Sequence, residues 1–279
     1  VFLIDKLDEG YSPDSIGIGL IDGIVLAAID IKTANSRIKP IIFLRDNIFR
    51  AVQANDPDFS RNIEGHVLRL HWDVDSLFNF AAMRLSIAFD TKKDTSAVKV
   101  WNSCTAGELK GKAGFQECLR HTLYRPRDLL SLLNEAFYIA GKKNQKILVR
   151  DHIEETARYI SINRLDDLIK EYSSIIPGLK NYIGVFEGQQ PEIDGNTARL
   201  RFNELLEREV ENPKALQDYY ILGDANGVLR SLYSIGFLGF KDRTSGTYVF
   251  CHDGRAPDQK FSEDDGILIH PCYWTALNV

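Results

Sequence analysis

The feature that most constrains the fold is a pair of short, wholly apolar segments that each stop at a charge. Val1-Phe2-Leu3-Ile4 runs into Asp5, and Ile41-Ile42-Phe43-Leu44 runs into Arg45-Asp46. Strands buried on both faces of a parallel sheet read as continuous apolar runs of this kind. A chain that opens inside such a run reads as the interior of a longer polypeptide. Between the two segments, GIGLIDGIVLAAIDIKTANS reads as a long apolar helix ending near Asn35-Ser36, with Ser12-Pro13-Asp14 as its start. Strand, helix, strand in that order predicts a right-handed βαβ crossover in a parallel sheet. Both charged strand ends then share the edge where open α/β sheets bind ligands.

Beyond this unit the pattern turns helical. HVLRLHWDVDSLFNFAAMRLSIAF predicts a short strand and then a helix starting near Asp73, with Asp75 favouring its positive end. Residues 91–116, rich in Lys, Gly, Ser and Thr, read as a connection. RPRDLLSLLNEAFYIAGKKNQ is an amphipathic helix with Leu129, Leu132, Leu133, Ala136 and Phe137 on one face and Pro126 in its first turn. A second amphipathic helix runs from Val149 towards Pro177-Gly178, and Ser161–Asn163 offers a break point in it. From Leu179 onward helices precede FLGFKDRTSGTYVFCHDG, whose alternating segments flank a Thr244-Ser245-Gly246 turn as in a hairpin wing. GILIHPCYWTALNV reads as a strand or helix packed back on this part. The expected fold class is α/β followed by mainly α, ending in a winged-helix-like domain over 179–279.

Composition narrows the function classes. No run reaches the roughly 20 apolar residues of a membrane span, and the first apolar stretch is too short and too soon acidic for a signal peptide. This predicts a cytoplasmic protein. Cys104, Cys118, Cys251 and Cys272 form no C-x-x-C pair and read as reduced structural thiols. The six histidines show no H-E-x-x-H pattern and read as structural. The net charge of −5 argues against a nucleic-acid coat. Between Phe202 and Arg255 six Lys/Arg face eight Asp/Glu, whereas a helix that reads DNA is expected to be basic.

Four places carry candidate chemistry. Asp5, fixed at a strand end, is placed to orient Mg²⁺ through water, and Asp8 or Glu9 to polarise an attacking water. Arg45, or its neighbours Asp46 and Asn47, would lie near a terminal phosphate and report its presence. Arg125 and Arg127 stand at a helix start, where positive charge opposes the helix dipole and calls for an anion, either a phosphate or a carboxylate such as Asp128. The plainer alternatives are a polar stop for the strand and a surface or interdomain ion pair for the arginines. A phosphate loop, G-x-x-x-x-G-K-[ST], is missing from the sequence. Gly107–Ala113 is one residue short, lacks the hydroxyl and follows no apolar strand.

Taken in order, VFLIDKLDEG, KPIIFLRDNIF, HWDVDSLFNFAAMRLS and LYRPRDLLSLLNEA resemble a bacterial group of P-loop ATPases related to the STAND, KAP and origin-recognition-type AAA+ proteins. The resemblance covers roughly residues 1–175. It implies a Walker B strand with Asp5 as the magnesium residue, Asp8 and Glu9 as catalytic candidates, Arg45 as sensor 1, and Arg127, with Arg125, as sensor 2. It implies ATP and Mg²⁺ as cofactors, with the Walker A lysine in polypeptide ahead of Val1. Lys6 departs from the pattern, standing where many AAA+ proteins carry a glutamate. On this basis 1–90 is the distal part of a P-loop NTPase core, 91–178 a linker and helical lid, and 179–279 winged-helix-like.

Two functions follow. The first is the distal portion of an ATP-hydrolysing switch ATPase, inactive without its phosphate loop, that controls a partner, its own oligomerisation, or a DNA-related or defence process. The second is a non-enzymatic winged-helix module that binds protein or, less in keeping with its charge, DNA.

Overall fold

The computed structural model describes residues 1–7, 15–56, 58–92, 94–173, 176, 178–209, 223–252 and 266–279. They form two compact units, Val1–Leu70 and His71–Val279.

In the first unit β1 (Phe2–Ile4) is followed by α1 (Ser15–Ala34) and β2 (Pro40–Ile42), then by α2 (Asp46–Asn55) and α3 (Phe59–Asn62). β1 and β2 pair in parallel, with Phe2 opposite Pro40, Leu3 opposite Ile41 and Ile4 opposite Ile42, so the βαβ crossover is present. α1 stops where Asn35 turns the chain, its side-chain oxygen accepting from the Arg37 amide. The Ser12-Pro13-Asp14 start lies outside the described residues. The small core is helical: Ile21, Ile48, Val52, Phe59 and Ile63 are buried together, with the Phe49 and Phe59 rings 5.7 Å apart. The strand expected after His66 is replaced by an irregular segment. Val67, Leu68 and Leu70 are exposed, because alternation makes a strand only where an edge is available to pair.

The second unit begins with α4 (Val74–Ala88), whose cap is the expected Asp73: its carboxylate accepts from the Ser76 amide at 2.7 Å and the Ser76 hydroxyl at 2.6 Å. α4 packs against α5 (Ala97–Cys104) and α6 (Gly111–Leu119), so this compact unit begins at His71, ahead of the 90/91 boundary drawn from composition. These two helices, with a 3₁₀ turn between them, occupy the stretch expected to be a connection. Its described lysines face solvent while Val100, Trp101, Leu109 and Phe115 are buried, as is Thr105, whose hydroxyl donates to the Trp101 carbonyl. Phe78, Trp101 and Phe115 meet edge to face at 5.1–6.1 Å, and the Trp101 indole donates to the Leu109 carbonyl at 2.6 Å.

α7 (Pro126–Lys142) and α8 (Arg150–Tyr172) complete this helical layer. α7 buries the predicted Leu129, Leu132, Leu133 and Ala136. α8 runs unbroken through Ser161–Asn163; Ser161 is buried and its hydroxyl accepts from the Ala276 amide, so the residue read as a break holds the C-terminal turn instead.

After α9 (Leu179–Gly184) come β3 (Glu192–Asp194), α10 (Gly195–Glu209), α11 (Ala225–Ser234), β4 (Leu238–Lys241), β5 (Tyr248–Phe250), β6 (Gly266–Ile269), a 3₁₀ turn over Pro271–Tyr273 and α12 (Trp274–Leu277). The sheet order is β3-β6-β4-β5 and all its pairings are antiparallel. The predicted turn joins β4 to β5: the Asp242 carboxylate accepts from the Thr244 amide and the Ser245 hydroxyl, and Gly246 takes φ +68°. Gly239 leaves room for the Phe250 ring, whose atoms would lie 2.7–2.9 Å from a Cβ there. α12 and the 3₁₀ turn after β6 pack back onto α8, as the C-terminal stretch suggested. The chain is thus α/β and then mainly α, with small sheets. Among the described residues no helix is long and apolar enough to cross a membrane.

Candidate functional site

The parallel pairing fixes the geometry at the edge of the first sheet. Both strands run the same way, and the Phe43 amide donates to the Ile4 carbonyl at 2.9 Å, so Asp5 leaves β1 at the end where Leu44 and Arg45 leave β2. Asp5 is exposed, and one carboxylate oxygen accepts from the Lys6 amide at 2.8 Å. Lys6 takes φ +65°, a left-handed conformation uncommon for a residue with a side chain. Arg45 is the N-cap residue of α2, with Asp46 in the first turn. Asn47 lies in that turn, and its side chain is outside the described residues, as are Asp8 and Glu9 altogether.

Among the described residues this edge holds two exposed carboxylates, Asp5 and Asp46. That suits Mg²⁺, which keeps most of its water shell and binds through one or two carboxylates and a phosphate. It does not form a protein cage. Among the described residues no three His, Cys, Asp or Glu side chains converge as metal ligands. Nor is there a phosphate cradle at Gly107–Ala113: Gly107–Leu109 is a 3₁₀ turn, and the Gly111 amide donates to the Asn102 side chain at 2.8 Å.

The arginine pair belongs to the second unit. Arg125 is the N-cap residue of α7, and its exposed guanidinium donates to the Glu171 carboxylate at 2.9 Å and to the Tyr172 hydroxyl at 3.5 Å. Its local desolvation opposes the charge, but Glu171 outweighs this and holds the group above the usual arginine range. Asp128 is buried and pairs with Arg164 of α8 at 2.8 Å. The anion demanded by two arginines at a helix start is therefore met for Arg125 by a carboxylate on α8. Arg127 is exposed and makes no ion pair among the described residues.

Beside Arg125 lies a cluster that the sequence reading missed. His252 sits 4.9 Å from His270 and 5.0 Å from Tyr124, ring centroid to centroid, with Phe250 within 5.5 Å of both histidines. The His270 Nδ1 accepts from the Cys272 amide at 3.2 Å and lies 3.0 Å from its Sγ. Burial, with Arg125 close by, lowers His252 to about 3. Burial, with Arg120 close by, lowers His121 to about 4. His270 is held well below its ordinary range by burial and by the other two imidazoles. The three are neutral at neutral pH and lie between α6, α7 and the C-terminal strands. Nothing in their spacing along the chain reveals the grouping. All four cysteines are free thiols, and burial pushes Cys118 up to about 12.

Comparison with known proteins adds three findings. Residues 75–169, which span α4 to α8, match the FunZ-associated C-terminal helical domain. The chain is 48% identical over 283 aligned residues to the transposon gamma-delta 80.3 kDa protein of Escherichia coli (strain K12), of which it spans 40%. It is 45% identical over 184 residues to Allergen Alt a 2 of Alternaria alternata, an alignment that takes in 64% of this chain and 95% of that protein. No solved structure matches the chain.

Proposed function

We propose that the chain, which belongs to the same family as Allergen Alt a 2, is the distal portion of a nucleotide-dependent switch, a P-loop ATPase whose phosphate loop is supplied by polypeptide outside these 279 residues. The observation that carries this reading is the parallel β1–α1–β2 crossover, with Asp5 and the Arg45 start of α2 at one sheet edge. In this reading the first unit is a partial P-loop core, α5 to α8 form a lid, and β3 to β6 with α10 and α11 form a winged-helix-like domain. Asp5 would hold the waters of Mg²⁺, and Arg45 would meet the terminal phosphate of ATP. Asp8 and Glu9 are the candidates for orienting the attacking water, and Asn47 would assist at the phosphate. Bound, the metal and the phosphates supply the charge that an in-line displacement needs.

For sensor 2 the reading favours Arg127. Arg125 is held by Glu171, so it would link the start of the lid helix to α8. Nucleotide state would then act through α7 and α8 on the C-terminal domain, and through it on a protein partner or a second copy of the chain. The name of the E. coli relative favours a role connected with a transposon, and this reading places the protein in the cytoplasm. The outward side of α11 carries Arg230 as its basic residue, which suits a protein partner better than a phosphate backbone.

The test is calorimetric titration of MgATP into a longer polypeptide that contains these residues. Micromolar binding that weakens about tenfold in Arg127→Ala supports the reading. Failure to bind any nucleotide ends it.

A further inference from the structure

The largest physical anomaly in the molecule is the first sheet. Parallel strands occur almost only where both faces are covered, and a two-stranded sheet gains little stability by itself. Here Leu3 and Ile41, paired across the strands, are 60% and 45% exposed, and Phe43 beyond them is 45% exposed. Alternation puts these three on one face, with the half-buried Ile4 and Ile42 on the other. The buried core of the unit is drawn from α1, α2, α3 and Ile63, and contains no strand side chain. Neither strand has a second neighbour among the described residues, so both outer edges leave backbone groups unpaired by a sheet. Among the described residues five buried apolar side chains form its core, a small one for a unit of this length.

We propose that the Leu3–Ile41–Phe43 face and the free edges of this sheet are an intramolecular docking surface for further strand-and-helix segments of the same polypeptide, lying outside the 279 residues. The E. coli relative argues for that occupant: this chain spans 40% of it at 48% identity, so most of that protein lies outside the matched part. A second copy fits less well. A two-fold axis that pairs edge strands leaves the apolar face bare, and one that pairs faces leaves the edges open. A segment carrying both a strand and a helix meets both demands. The inference needs no nucleotide, so it stands or falls apart from the function proposed above.

The test is hydrogen–deuterium exchange without nucleotide, on the 279 residues alone and on the longer polypeptide that the proposal requires. The amides of Phe2–Ile4 and Ile41–Phe43 should exchange at least about tenfold more slowly in the longer polypeptide. The double change Leu3→Asp, Ile41→Asp should erase that protection there, yet leave the far-ultraviolet circular dichroism of the 279-residue chain unchanged, because both side chains already face water. Equal exchange in the two contexts overturns the proposal. Protection that grows with concentration in the 279-residue chain also overturns it and assigns the surface to a second copy.

Discussion

At the scale of single residues, the clearest constraint is Gly114. A Cβ there would run into the backbone of Leu109 at closer than van der Waals contact, in the turn that receives the Trp101 indole. Backbone cannot yield as a flexible side chain can, so Gly114→Ala should cost at least about 3 kcal/mol, read from the urea midpoint. Of the glycines of 107–114, Gly114 thus serves helix packing and Gly111 a turn at φ +67°, while a Cβ at Gly107 would meet open space. Asp128 and Arg164 form a buried ion pair, and Asp128→Ala leaves the guanidinium only the more distant, exposed carboxylate of Asp167 at 3.7 Å. A loss of about 3 kcal/mol is expected from the same measurement. Arg127 gives the contrast: exposed and without an ion pair among the described residues, Arg127→Ala should change stability by under about 0.5 kcal/mol, so lost nucleotide affinity in that variant would report function rather than folding.

At the scale of elements, the histidine cluster joins the end of α6 to the C-terminal strands, and it makes the second unit sensitive to acid. His121 at about 4 and His252 at about 3 lie below the unfolded value near 6.5, so the unfolded chain binds more protons at mildly acid pH. Their contribution to stability is complete above about pH 6.5 and falls as pH drops towards the folded values, by about 1.4 kcal/mol per histidine per pH unit. Urea unfolding between pH 7.5 and 5 should show this slope, and His252→Gln should flatten it; an unchanged slope would remove His252 from the account. The elements differ in how far the sequence disclosed them. The two apolar runs and the helix between them were legible because period and charge agree. So was the cap at Asp73, where an acidic residue precedes an apolar run. α5 and α6 were not, since Lys, Gly, Ser and Thr outnumber the few residues, Trp101 and Phe115 above all, that decide the packing. The histidine cluster was hidden for a different reason: its members come from segments far apart in the chain, and only tertiary packing makes them neighbours.

At the scale of the molecule, the two units differ sharply in core. The second buries two extensive clusters, one around Trp101 and Phe115 and one around Tyr182, Phe202 and Phe237. Among its described residues the first buries five apolar side chains. Unfolding of the 279-residue chain should therefore proceed in two steps, with exchange of the α1 and α2 amides preceding that of α7 and α8; a single cooperative loss of all four would contradict the division. What the sequence could not disclose at this scale is that the sheet carrying Asp5 is left uncovered, because apolar strands read alike whether or not their partners are present. In the proposed function that sheet edge is the seat of hydrolysis. The most direct measurement is steady-state ATP hydrolysis by the longer polypeptide, wild type against Asp5→Asn. Turnover that falls at least about a hundredfold while MgATP affinity holds within a few-fold is the predicted result. Equal turnover in the two proteins would contradict the account.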